Sequence, residues 1–366
     1  MLYKQQKNKS VIPMSSPYTK HGNNAITSLR GIFIIMIVLH HLGLYSGGGT
    51  LGVAFFFMLG GLTLSLGYYE RVCRPDFEYS QYIRRRCKKF FPLHWLCLLA
   101  IMPLSLLPII RGIVDVKTAV AALIPNVLLL QSLIPIKSIY FSYNAVSWYL
   151  SSAMILAILY PFIVKSLDRL SYKGKAITFI LMLSAYSTLV YLLPVEHRHS
   201  ILYINPLVRV VDFTIGIYLY LLYRATTAGR QVQQPTRKKS LEAISIAMIV
   251  IAVLTSVVLS KDTRRITAVY WLPISVILMS SIMTGRVGGR LNRLLEWIGE
   301  KSLTIFMTHQ IVITYVEAVC GYIGLNTAVA KTIISIPLIL LTAWLCDKYF
   351  LGNNPRVRHT KGVTRP

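Results

Sequence analysis

Residues 118–135, TAVAALIPNVLLLQSLIP, are apolar enough to cross a bilayer, and whether they cross decides the side on which every later loop lies. Flanking windows of about 20 apolar residues mark ten further spans, at 28–45, 51–69, 90–110, 148–164, 176–194, 204–223, 241–259, 266–284, 302–320 and 327–347. The chain holds 39 Lys and Arg. If 118–135 does not cross, only Arg111, Lys117, Lys137, Arg198, Lys261, Arg264, Arg265 and Lys331 fall on one side, and Arg209 lies inside a span. All the rest gather on the other side, which the positive-inside rule makes cytoplasmic. If 118–135 did cross, loop 165–175 and every later basic loop would face outward. The segment is therefore expected to be re-entrant or interfacial, interrupted by Pro125 and Pro135. The expected fold is an all-α polytopic membrane bundle of about ten transmembrane helices with both termini cytoplasmic.

Composition agrees. Of the 366 residues, 54% are hydrophobic and 14% charged, too apolar for a soluble domain. A net charge of +26 raises the question of nucleic acid, but the location of the charge answers it: the basic residues orient the spans. Residues 1–27 read as a polar cytoplasmic tail, 28–350 as one membrane unit and 351–366 as a second tail. The five cysteines have no metal-like spacing and read as reduced thiols.

Ionisable groups inside spans cost on the order of 2.5–3.5 kcal/mol each on insertion scales, so function is sought there. Arg30 and His41 stand eleven residues apart in the first span. At roughly 100° per residue they share one helix face to within about 20°, about 16 Å apart along the axis, while His40 points away. Arg30 would sit at the cytoplasmic mouth and His41 deep in the bundle. The ordinary alternative is a snorkelling Arg and a hydrogen-bonded core His. Before the third span, YIRRRCKKFFP carries Arg86 and Lys89 one turn apart, which suits either a phosphorylated ligand or anionic lipid. Arg209 and Asp212 form an i,i+3 pair that can neutralise itself or touch an acceptor. His309 in SLTIFMTHQ suits a helix–helix hydrogen bond or the same acceptor. Trp148, in the aromatic stretch KSIYFSYNAVSWYL, reads as an interfacial anchor or a platform for sugar rings.

Taken together, these pieces resemble the acyltransferase-3 family of membrane O-acyltransferases, which modify polysaccharides and other surface molecules. SLRGIFIIMIVLHHLG matches its leading Leu-Arg-Gly motif, with a His eleven residues after the Arg. GVAFFFMLGG, RRRCKKFFPLHW, NVLLLQSL, SWYLSSAMILAILYP, VRVVDFTIGI and IGEKSLTIFMTHQ follow in the family's order, over roughly residues 28–320. The resemblance implies that His41 is the catalytic histidine, that Arg30 is its partner on the donor side, and that Arg86 and Lys89 occupy the family's Arg-x-x-Arg. Lys89 departs from that motif, keeping charge but losing planar bidentate binding. Gly60 stands where many members have Ser, and Ala153 or Met154 where one branch has Glu.

The implied activity is transfer of an acyl group, most simply acetyl, from acyl-CoA to a hydroxyl of a surface polysaccharide or lipid-linked glycan. His41 would act as general base or as transient acyl carrier. No bound cofactor or metal is expected; acyl-CoA is a substrate. The other partners are membrane lipid and, as an option, a second copy of the chain, with no nucleic acid, in the inner membrane of a bacterium. Two other classes stay open: a secondary transporter, which predicts internal repeats that the sequence lacks, and an assembly protein of the envelope.

Overall fold

A computed structural model describes residues 20–227, 235–259, 263, 265–285, 292–325 and 327–351. Among these residues there is no strand, and nine helices are long and apolar enough to cross a membrane. The first is α1 (Lys20–His41), so the chain is already helical within the stretch read as a tail. It is followed by α2 (Gly48–Val72) and α3 (Tyr79–Ile110), then by α4 (Val116–Val127) and the short α5 (Lys137–Tyr140). Next come α6 (Ser147–Asp168), α7 (Tyr172–Leu192), the short α8 (Val195–Arg198), α9 (Pro206–Thr227) and α10 (Pro235–Val258). The chain closes with α11 (Ala268–Thr284), α12 (Asn292–Glu300), α13 (Ser302–Tyr322) and α14 (Ala328–Cys346).

The one expected span that is not among these nine, 266–284, is α11. Its 17 residues span about 26 Å, a little short of a bilayer core. One face of it, with Tyr270, Ile274, Ile277 and Leu278, is wholly buried against protein, while Leu272 on the other face is exposed. At the other extreme, the 32 residues of α3 measure about 48 Å. Its first turns, which carry the RRRCKK run, therefore project beyond the bilayer at the basic end.

Segment 118–135 forms no continuous helix. α4 stops at Val127, Leu129 adopts a left-handed φ of 56°, and the Leu130 amide donates back to the Pro125 carbonyl at 2.8 Å. The break differs from the expected one: Pro125 sits inside the helix, and the left-handed Leu129 ends it. Side chains of α3 satisfy the exposed helix end, with His94 Nε2 2.7 Å from the Asn126 carbonyl and Trp95 Nε1 donating to the Val127 carbonyl. The following turn is tied to α6 by Gln131 to Ser147 and by Ser132 to Ser151. The backbone carbonyls freed at this break find protein donors, as backbone at membrane depth requires, while His94 Nδ1, Asn126 Oδ1 and Gln131 Oε1 stay buried without a partner.

Small residues set the tightest helix contacts. A Cβ on Gly61 would collide with the Phe213 carbonyl, and one on Gly216 with the Met58 carbonyl, so α2 and α9 meet backbone to backbone. Gly31 and Gly299 do the same for α1 and α12, facing the Leu295 and Thr27 carbonyls. The expected loop 285–301 thus contains a helix that clamps the start of α1 beside Arg30. Residues 1–19 and 352–366 and loop segments 228–234 and 286–291, which hold part of the basic count, lie outside the described residues.

Candidate active site

The beginnings of α1, α3 and α13 and the end of α2 surround a cavity of about 390 Å³. Arg30, Arg86 and Lys89 all line it, so three cations from two helices converge as the sequence suggested. No Asp or Glu is among its lining residues. Arg30 donates from Nε to the Ser302 hydroxyl at 3.0 Å, which holds the guanidinium against the first turn of α13. The Arg86 guanidinium stacks 4.7 Å from the Tyr68 ring centroid and 5.1 Å from that of Tyr82, and its Nε is buried without a hydrogen-bond partner. Ser302, Tyr68 and Tyr82 carried no signal in the sequence, since each acts only through a neighbour on another helix.

Deeper, the cavity becomes apolar and ends on Phe56, Tyr149 and Phe306. Tyr149 packs 4.9 Å from Phe306 and 6.4 Å from Phe56, centroid to centroid. Gly60 and Ala153 both line this chamber. With Lys89, they are positions where the sequence departs from the family pattern, so the departures gather around one cavity, with Ala153 rather than Met154 facing it.

Behind Phe306 stands a histidine pair. The His41 and His309 rings are 5.0 Å apart, and Phe306 lies 5.8 Å from His309. His309 differs from the expected helix–helix bond: its Nδ1 lies 3.0 Å from the Ile305 carbonyl of its own helix. A carbonyl only accepts, so Nδ1 carries the proton and Nε2, buried without a partner, carries the lone pair. His40 turns the other way, its Nδ1 3.2 Å from the Tyr45 carbonyl. His41 itself lines a separate pocket of about 220 Å³ at the opposite end of the bundle. Arg30 and His41 thus open into different hollows, with aromatic rings between them.

Arg209, Asp212 and Trp148 lie elsewhere. Arg209 is 0% exposed, pairs with Asp212 at 2.8 Å and donates to the Tyr203 carbonyl at 2.7 Å. Asp212 also accepts from Trp271 and from the Thr267 hydroxyl. With both charges sealed from solvent, this pair braces the core, and Arg209 Nη2 is left buried without a hydrogen-bond partner. Trp148, 5% exposed, packs 5.0 Å from Tyr203 and 6.5 Å from Phe57. It is a core ring covered by protein, with no open face for a sugar. Burial of a residue near a helix start cannot be read from hydropathy, which is why Trp148 looked like an anchor.

The family model described as an acyltransferase domain matches residues 23–348. No curated protein and no solved structure matches the chain.

Proposed function

Because the chain belongs to the acyltransferase-3 family, we propose that it moves an acyl group, most simply acetyl, from cytoplasmic acyl-CoA to a hydroxyl of a surface polysaccharide or lipid-linked glycan. That it is a multi-pass membrane acyltransferase follows from the family and the spans. The observation that carries the finer reading is the cavity in which Arg30, Arg86 and Lys89 converge above aromatic walls. Three cations without a carboxylate suit the phosphates of CoA, and an apolar chamber beyond them suits its pantetheine arm. The positive-inside rule puts this mouth in the cytoplasm, where acyl-CoA is made.

The thioester carbonyl would be presented at the aromatic wall, and Phe306 and Tyr149, which separate this chamber from His41, have to turn aside for the acceptor hydroxyl to meet it. His41 takes the proton of the acceptor hydroxyl as its oxygen attacks that carbonyl; the carbon–sulfur bond breaks, and the CoA sulfur leaves and is protonated. His309, with its lone pair fixed on Nε2, is the neighbour that can share the proton. Transfer through an acyl group on His41 would use the same contacts in two steps. In cells, His41→Ala should cut acetyl incorporation into surface glycan by about 10²–10⁴-fold, and Arg30→Ala should lower it through the donor. Full retention of acetyl by both variants would overturn the assignment.

A further inference from the structure

The pocket at the His41 end holds features that donor binding leaves unused. It is lined by His41 on α1, Glu317 on α13, and Lys331, Thr332 and Ser335 on α14. Ser335 is 1% exposed, yet its hydroxyl has no hydrogen-bond partner. A buried hydroxyl left in that state costs about 1–3 kcal/mol, a cost that an arriving polar group would remove. Glu317 and Lys331 project from neighbouring helices onto the same pocket, and no ion pair joins them among the described residues. One strong acceptor and one strong donor therefore stand on two neighbouring helices at the same pocket. Leu42 and Ile313 supply the apolar part of the lining.

We propose that this pocket is the acceptor subsite, and that it takes a single uncharged sugar ring through Ser335, Glu317 and Lys331, with one ring hydroxyl against His41. The proposal rests on the acyltransferase reading above and names its acceptor side. The chemistry selects this class of ligand. Sugar hydroxyls donate and accept at once, so they satisfy a carboxylate and an ammonium together, while C–H faces of the ring cover Leu42 and Ile313. An anionic ligand would meet Glu317, and a fatty alcohol would leave three polar groups unmatched. The volume, about 220 Å³, is roughly seven times the ~30 Å³ share of a water molecule and fits one ring.

The test uses the full chain in lipid nanodiscs and in cells, with Glu317→Gln, Lys331→Met and Ser335→Ala. Glu317 is exposed and Lys331 half-buried, so the first two are expected to fold even if the third does not. Each should lower acetyl on surface glycan, read by mass spectrometry, by about tenfold or more, as loss of a charge-assisted hydrogen bond implies. Lys331→Arg should restore most of it. The Kd for acetyl-CoA, read by calorimetry, should stay within about twofold of the parent value, a difference of about 0.4 kcal/mol. Unchanged glycan acetylation in the Glu317→Gln, Lys331→Met double variant overturns the proposal. So does a parallel loss of acetyl-CoA affinity, which would make these residues part of the donor side or of the fold. If the parent chain neither binds acetyl-CoA nor acetylates glycan, the acyltransferase reading fails first, a result separable from both.

Discussion

Two of the groups of cations in this bundle are treated in opposite ways. Arg209 is sealed in the core with Asp212 at 2.8 Å, a backbone carbonyl at 2.7 Å and aromatic rings on both sides. Arg30, Arg86 and Lys89 share one cavity whose lining contains no carboxylate. A buried charge is tolerated when its partner is built into the chain, and the result is rigidity. Like charges gathered around a hollow repel one another and weaken the fold, so they persist where an anion from outside completes them. The first arrangement is that of a brace and the second that of the donor site proposed above, though in the sequence both are only basic residues in or near apolar spans.

The largest effect that would break this contrast is on stability. Asp212→Asn leaves the Arg209 charge uncompensated and should destabilise the protein by about 3–5 kcal/mol, read as a lowered unfolding midpoint in detergent. Arg209→Met with Asp212→Leu should recover most of that loss, but not all, because the Tyr203 carbonyl and the Trp271 and Thr267 donors lose their partners. If Asp212→Asn is as stable as the parent, Arg209 is no brace. Next, Arg86→Met should raise the KM for acetyl-CoA by about 10–100-fold through loss of a charge-assisted contact of about 1.5–3 kcal/mol, with the unfolding midpoint unchanged or higher. A lowered midpoint with unaltered KM would move Arg86 to the structural class. Lys89→Arg, which restores the planar fork, should lower that KM by a few-fold, on the order of 0.5–1 kcal/mol. The smallest effect is at Gly60. A Cβ there would lie 3.6 Å from the Phe213 ring, ordinary contact, so Gly60→Ser should change stability by no more than about 0.5 kcal/mol and leave acetyl-CoA binding within twofold.

Much of the architecture could be read from residues alone. Hydropathy placed the helices, and the asymmetry of Lys and Arg required 118–135 to stay on one side, where α4 in fact stops at Val127. Helical periodicity put Arg30 and His41 on one stripe of α1, and one-turn spacing put Arg86 beside Lys89, because those relations are local to a single helix. The brace was legible for the same reason, Arg209 and Asp212 being three residues apart. Trp148 was not, since end-of-helix aromatics look alike whether a neighbouring helix covers them or lipid does.

The sequence by itself determined which segments leave water, which way they point and which ionisable groups they carry inside, since these depend on transfer free energy and on the repeat of one helix. Tertiary structure alone decided that His309 stands 5.0 Å from His41, that Ser302 holds Arg30, and that aromatic rings divide the bundle into two hollows. Those contacts join residues up to 272 positions apart. They depend on how small residues such as Gly31, Gly61, Gly216 and Gly299 let backbones close on one another, and a lipid-facing and a helix-facing surface are equally apolar, so hydropathy cannot tell which faces will meet.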